Sequence, residues 1–82
     1  MSTITPVLPN SLLEAVAAVK SGSATLQVRT MARITVIDAK CLAKWENVSG
    51  APLLREAGEG YRLRRGKQSV YLFPGQLLLV KD

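Results

Sequence analysis

The chain has 82 residues and a mass of 8.9 kDa, with 48% hydrophobic residues, eleven Lys and Arg against six Asp and Glu, one Cys and no His. That size holds one domain with a modest core, and the absence of His excludes a His-based triad, a His proton shuttle and a His-ligated metal. One Cys excludes an internal disulfide and zinc sites built on Cys pairs, while the apolar fraction is too high and the net charge of +5 too small for a disordered chain.

Residues 1–9 carry Pro6 and Pro9 and no periodicity, which reads as a flexible N-terminal arm ahead of a single domain over 10–82. Met1 to Pro9 carry no positive side chain, so no secretory leader is expected, and the apolar stretches at 15–19 and 76–80 are too short to span a bilayer. The expected location is the cytoplasm, with no membrane partner, and an unpaired Cys fits a reducing compartment.

A helix is expected from Ser11. Ser11-Leu12-Leu13-Glu14 has the spacing of a capping box, Leu12, Leu13, Val16 and Val19 follow on one side, and Ser21-Gly22-Ser23 ends the run. The stretch 24–48 satisfies two periods at once. Leu26, Val28, Thr30, Ala32, Ile34 and Val36 alternate as in a strand, whereas Ile34, Ile37, Cys41, Trp45 and Val48 recur at steps of three and four as on a helix face. The reading adopted is an extended lead-in near 25–27, a helix from about Val28, a turn near 35–37 and a second helix capped by Asp38. The Asp38 carboxylate is placed to accept from the backbone N–H of Lys40 or Cys41, and Asn47, Ser49 and Gly50 end that helix. Four consecutive β-branched residues, Ile34 to Ile37, oppose helix on propensity.

Farther on, Tyr61-Arg62-Leu63-Arg64 and Ser69-Val70-Tyr71-Leu72-Phe73 flank Arg65-Gly66-Lys67-Gln68, the signal of a hairpin with a basic turn. Pro74-Gly75 then reverses the chain into a short apolar segment, 76–80.

The excess charge is confined to residues 29–68. Arg29, Arg33, Lys40 and Lys44 against Asp38 and Glu46 leave +2, and Arg55, Arg62, Arg64, Arg65 and Lys67 against Glu56 and Glu59 leave +3. On charge alone a polyanion footprint and a merely solvated face weigh equally. In a helix-turn-helix layout Ala32 is the small residue at the crossing, and Met31, Ile37, Cys41, Leu42 and Trp45 fill the interior. Ala39, Lys40, Ala43, Lys44 and Asn47 then face outward, a stripe suited to a major groove.

The segment Met31-Ala-Arg-Ile-Thr-Val-Ile-Asp-Ala-Lys-Cys-Leu-Ala-Lys-Trp-Glu46 resembles the helix-turn-helix of MerR-type regulators and phage excisionases. Pro52-Leu-Leu-Arg55 and Gly60-Tyr-Arg-Leu63 are similar to the run into the MerR wing, and Tyr71-Leu-Phe73 to the Tyr-Leu-Phe that follows the wing in excisionases. The resemblance covers about residues 26–80. It departs at Val36, where the turn usually has Gly, and the chain has no room for a MerR dimerising coiled coil or effector domain.

What the resemblance implies is a mainly α domain with a small β-hairpin, a winged helix-turn-helix with an extra N-terminal helix and a short C-terminal segment. Lys40, Ala43, Lys44 and Asn47 are expected in the major groove of double-stranded DNA. Arg62, Arg64, Arg65 and Lys67 are expected on the adjacent backbone or minor groove, with Arg29 and Arg33 on phosphates from the first helix. Trp45 and Cys41 are expected in the core, Tyr61 and Tyr71 packed across the hairpin, and Glu56 and Glu59 in solvent. The expected function is that of a small sequence-specific DNA-binding protein of a mobile element, of the excisionase type, with a recombinase or RNA polymerase as partner and cooperative self-association on DNA. A small transcriptional regulator is one alternative. A phage-encoded protein-binding inhibitor of a host defence complex, docking through Leu77–Val80, is the other. No acid/base pair stands at a recognisable spacing, so neither enzymatic activity nor a cofactor is expected.

Overall fold

The computed structural model describes residues 3–81. In chain order it contains β1 (Thr3–Pro6), a 3-10 turn (Pro9–Ser11), α1 (Leu12–Lys20), β2 (Ala24–Arg29), β3 (Ile34–Ile37), α2 (Ala39–Ser49), β4 (Leu54–Ala57), β5 (Gly60–Arg65), β6 (Gln68–Leu72) and β7 (Leu77–Lys81). The strands make two antiparallel sheets, one of order β1-β7-β2-β3 and one of order β4-β5-β6. Strand outweighs helix by 43% to 29%, which overturns the mainly α fold and, with it, the winged helix-turn-helix.

The difference from the expected fold lies in residues 28–37. They form no helix: Val28 and Arg29 end β2, residues 30–33 turn, and Ile34–Ile37 return as β3. The turn is closed by Thr30, whose N–H and hydroxyl both donate to the Arg33 carbonyl. The run Ile-Thr-Val-Ile is stiff at χ1 and packs better on a pleated sheet than on a helix. Leu26 pairs with Ile37 and Val28 with Thr35, so even-numbered β2 residues sit opposite odd-numbered β3 residues. The alternation that runs unbroken through Ile34 and Val36 therefore changes face at the turn. Leu26 and Val28 are buried, whereas Ile34 and Val36 are more than half exposed on the outer face. Ala32 and Met31, expected at a helix crossing and in the core, lie in the exposed turn. Val36 is extended, and among the described residues none other than Gly has positive φ, so the missing turn glycine causes no strain.

Helix α1 has the expected limits but not the expected cap. The Ser11 hydroxyl donates to the Leu8 carbonyl and accepts from the Leu8 N–H, closing the 3-10 turn instead of bonding Glu14. Leu12, Ala15 and Val19 are its buried residues, and Leu13, expected inward, is 84% exposed. Residues 3–6 of the expected arm are strand β1, paired with β7, and Val7 beyond them is buried.

One core joins both sheets and both helices: Val28, Ile37 and Leu77 from the four-stranded sheet, Leu54, Tyr61, Leu63 and Leu72 from the three-stranded sheet, Leu12, Ala15 and Val19 from α1, and Leu42 from α2. Tyr61 is fully buried and its hydroxyl donates to the carbonyl of Val7, while the Val7 N–H donates to Leu77. Val7 is thereby held by both sheets. The C-terminal apolar segment is not a free edge. It is β7, the strand paired on both sides by β1 and β2, and the inhibitor's docking edge is thus an interior strand.

Candidate nucleic-acid interface

Helix α2 begins as expected. Asp38 Oδ1 accepts from the Cys41 N–H at 2.8 Å, and Gly50 ends the helix at φ 70° with its N–H donating to the Glu46 carbonyl. Leu42 faces the core, Cys41 and Trp45 are half-buried against it, and Val48 is 80% exposed instead of completing the inward stripe. The opposite stripe is Lys40, Ala43, Lys44 and Asn47, at steps of three and four, and all four are exposed. The exposed stripe is thus present, but the helix expected to precede it is not.

The hairpin also stands where expected. Arg65 pairs with Gln68 across the two-residue loop Gly66-Lys67. Gly66 has φ 62° and Lys67 does not share its positive φ, the pattern of a II′ turn. Alternation then divides the cations. Arg65 lies on the same face as the buried Tyr61 and Leu63, Arg62 and Arg64 lie on the outer face, and Lys67 is in the loop.

The ten expected contact residues do not form one surface. Arg64 meets the end of α2, lining a small cavity with Trp45, Ser49, Ala51 and Gly66, so the helix and the hairpin are neighbours there. Arg33 and Arg65 share a cleft of about 250 Å³ between the β2–β3 turn and the hairpin, its apolar lining including Val28, Leu63, Val70 and Leu72. Lys40 and Ala43 border a shallow groove toward Lys20 on α1. Arg29 stands apart on the outer face of the four-stranded sheet, where it donates to Gln27 Oε1.

Among the described residues none of these cations has an acidic partner at ion-pair distance. Among the described residues the ion pair present is Lys20–Glu46, at 3.0 Å between α1 and α2, and Asp38 is engaged as a cap. Burial, and secondarily the charge of Glu56, raises the Tyr61 phenol above its ordinary value, so it stays a neutral donor to Val7.

Sequence reasoning missed the residues beside these cations. Arg55 stands opposite Arg62, Arg62 opposite Tyr71, and Arg64 opposite Ser69. Tyr71 and Phe73 meet edge to face, with centroids 5.2 Å apart. The signal was the period-two pattern Arg62, Arg64 and Ser69, Tyr71, Phe73, legible once both strands are assigned. Tyr61, expected beside Tyr71, is on the opposite, buried face. No helix among the described residues is long and apolar enough to cross a membrane. No protein family, curated protein or solved structure matches the chain.

Proposed function

We propose that the protein binds duplex DNA without carrying out a reaction, laying α2 in the major groove and the β5–β6 hairpin on the adjacent backbone. The observation that carries this reading is the exposed α2 stripe of Lys40, Ala43, Lys44 and Asn47, which has no acidic member. Lys40 and Lys44 supply cations for guanine acceptors or phosphates, Asn47 an amide for a base edge, and Ala43 the small surface that lets the backbone approach. Arg62, Arg64, Arg65 and Lys67 hold phosphate from the hairpin side. Arg29 and Arg33 belong to the other sheet and its turn, and the reading does not need them.

The α2 and hairpin portions of the excisionase resemblance support a mobile-element role, whereas residues 31–37, which carried the first helix, no longer do. The inhibitor alternative loses its expected docking edge, Leu77–Val80, because that segment is an interior strand. Footprinting separates the two DNA-binding roles: direct repeats beside a recombination site identify an excisionase, and a promoter operator identifies a regulator.

The reading is tested by titrating a labelled duplex at several salt concentrations. Six cations at phosphates give a slope of log affinity on log salt of about −5. The double variant Lys40→Ala, Lys44→Ala should reduce that slope by about 2 while unfolding at the same temperature. A wild-type slope near zero, or a variant that binds as the wild type does, overturns the reading.

A further inference from the structure

The outer face of the three-stranded sheet carries a second set of groups. Strand alternation places Arg55, Arg62 and Tyr71 in one rung across β4, β5 and β6, with Arg64 and Ser69 in the next. Arg62 donates to Ser69 Oγ at 3.1 Å, which holds its guanidinium along the sheet. Arg55, Arg64 and Phe73 are exposed, and Tyr71 keeps 38% of its surface in solvent. No acidic residue occupies an outward position of these strands, and no ion pair neutralises the three arginines among the described residues.

The aromatic rings lie on the sheet because the chain leaves room for them. A Cβ at Gly60 would meet the Leu72 carbonyl and stand 2.7 Å from Tyr71 Oη. The glycine is therefore covered by the tyrosine, whose ring reaches diagonally across the strand. Phe73 continues the aromatic surface just beyond β6.

Exposed aromatic rings beside guanidinium groups with no acidic partner among the described residues suit a polyanion whose bases are free to stack. In a duplex the bases are already stacked and paired, and their faces are closed to side chains. An apolar partner would strip water from three arginines without compensating them. We propose that this face binds single-stranded nucleic acid, with bases on Tyr71 and Phe73 and phosphates on Arg55, Arg62 and Arg64. The inference extends the nucleic-acid reading of the charge: it shares Arg62 and Arg64 with the hairpin contacts proposed above, whereas Tyr71, Phe73 and Arg55 belong to it alone and no α2 residue takes part.

The experiment measures binding of labelled dT15, rU15, a random-sequence duplex, polyphosphate and polyglutamate to the full chain. The variants are Tyr71→Leu with Phe73→Leu, which keeps apolar cover over Gly60, and Tyr71→Phe, which keeps the ring. Binding of dT15 or rU15 should weaken at least tenfold in the double leucine variant and return in Tyr71→Phe, the tighter oligomer naming the natural strand. Polyphosphate binding should not respond to the leucines, and thermal unfolding of each variant verifies the fold. Equal binding of dT15 and rU15 by the double variant and the wild type overturns the inference, as does polyphosphate or polyglutamate binding as tight as the oligomers. Duplex binding lost in Lys40→Ala, Lys44→Ala without dT15 or rU15 binding refutes this face alone. Oligomer binding without duplex binding refutes the α2 reading alone.

Discussion

Replacing Tyr61 by Phe removes one oxygen and keeps the buried ring, so it isolates the bond between the sheets. That oxygen donates to the Val7 carbonyl, in a region where Tyr61 has no exposure and Val7 only 3%. The variant loses a buried hydrogen bond and leaves the carbonyl without that donor, a combined cost of about 1–3 kcal/mol. For a domain of this size each kcal/mol lowers Tm by roughly 4–8 °C, so a fall of about 5–20 °C is expected by circular dichroism. Urea unfolding at pH 7 should give the same loss through a lower midpoint at constant slope. The phenol adds a second signature. Its folded-state pKa is raised, so its contribution is fully present below the unfolded value near 10.0 and is lost as pH rises through the folded value. Above pH 10 the wild type should lose stability at up to about 1.4 kcal/mol per pH unit more steeply than Tyr61→Phe. A loss below about 0.5 kcal/mol at pH 7, or parallel alkaline profiles, would refute the bond's part in joining the sheets.

Asp38→Ala removes the α2 cap and should cost about 1 kcal/mol in urea unfolding, whereas Asp38→Asn, which also accepts from Cys41, should recover most of it. Gly60→Ala places a methyl against the Leu72 carbonyl and Tyr71; we expect a loss of at least about 2 kcal/mol, with altered chemical shifts concentrated on β5 and β6. Lys20→Met breaks the ion pair with Glu46, whose side chains are 49% and 35% exposed; the cost should be no more than about 1 kcal/mol at low salt and vanish in 1 M NaCl.

The parts of the fold legible in the sequence are those whose signals are local. Asp38 as a cap, Gly66 in a two-residue hairpin loop and Pro74-Gly75 as a turn each depend on a few adjacent residues. The last has the form of a type II turn, with Gly75 at φ 95° and the Gln76 N–H donating to the Phe73 carbonyl. Residues 28–37 were not legible because two periods overlap there: the helical spacing that is real from Ile37 onward continues by coincidence backward across a strand. The β-branched run already favoured the other choice. The pairing of β1 with β7 was invisible, since nothing in Thr3–Pro6 indicates a partner more than seventy residues away. For the site, the α2 stripe followed from helical periodicity, but the outer sheet face required the register of β4 on β5, which composition does not encode. The expected gathering of Arg29 and Arg33 with the hairpin failed in part for the same reason: the register sends Arg29 to another face, while Arg33 does reach Arg65 across the cleft.

The place of β7 between β1 and β2 also sets an order of events. Thr3 lies opposite Lys81 and Ala24 opposite Lys81 on the other side, so two segments made early wait for one made late. Until residues 77–81 are available, β2 can pair with β3 but its other edge is open, and β1 has no neighbour. Such distant pairings slow folding, because the chain must close a long loop before any contact offsets the lost entropy. An unpaired β2 edge is also a template for a foreign strand, including β7 of another copy still being made. The same strand that completes the sheet is therefore the one whose late arrival sets how long the nascent chain is vulnerable to aggregation.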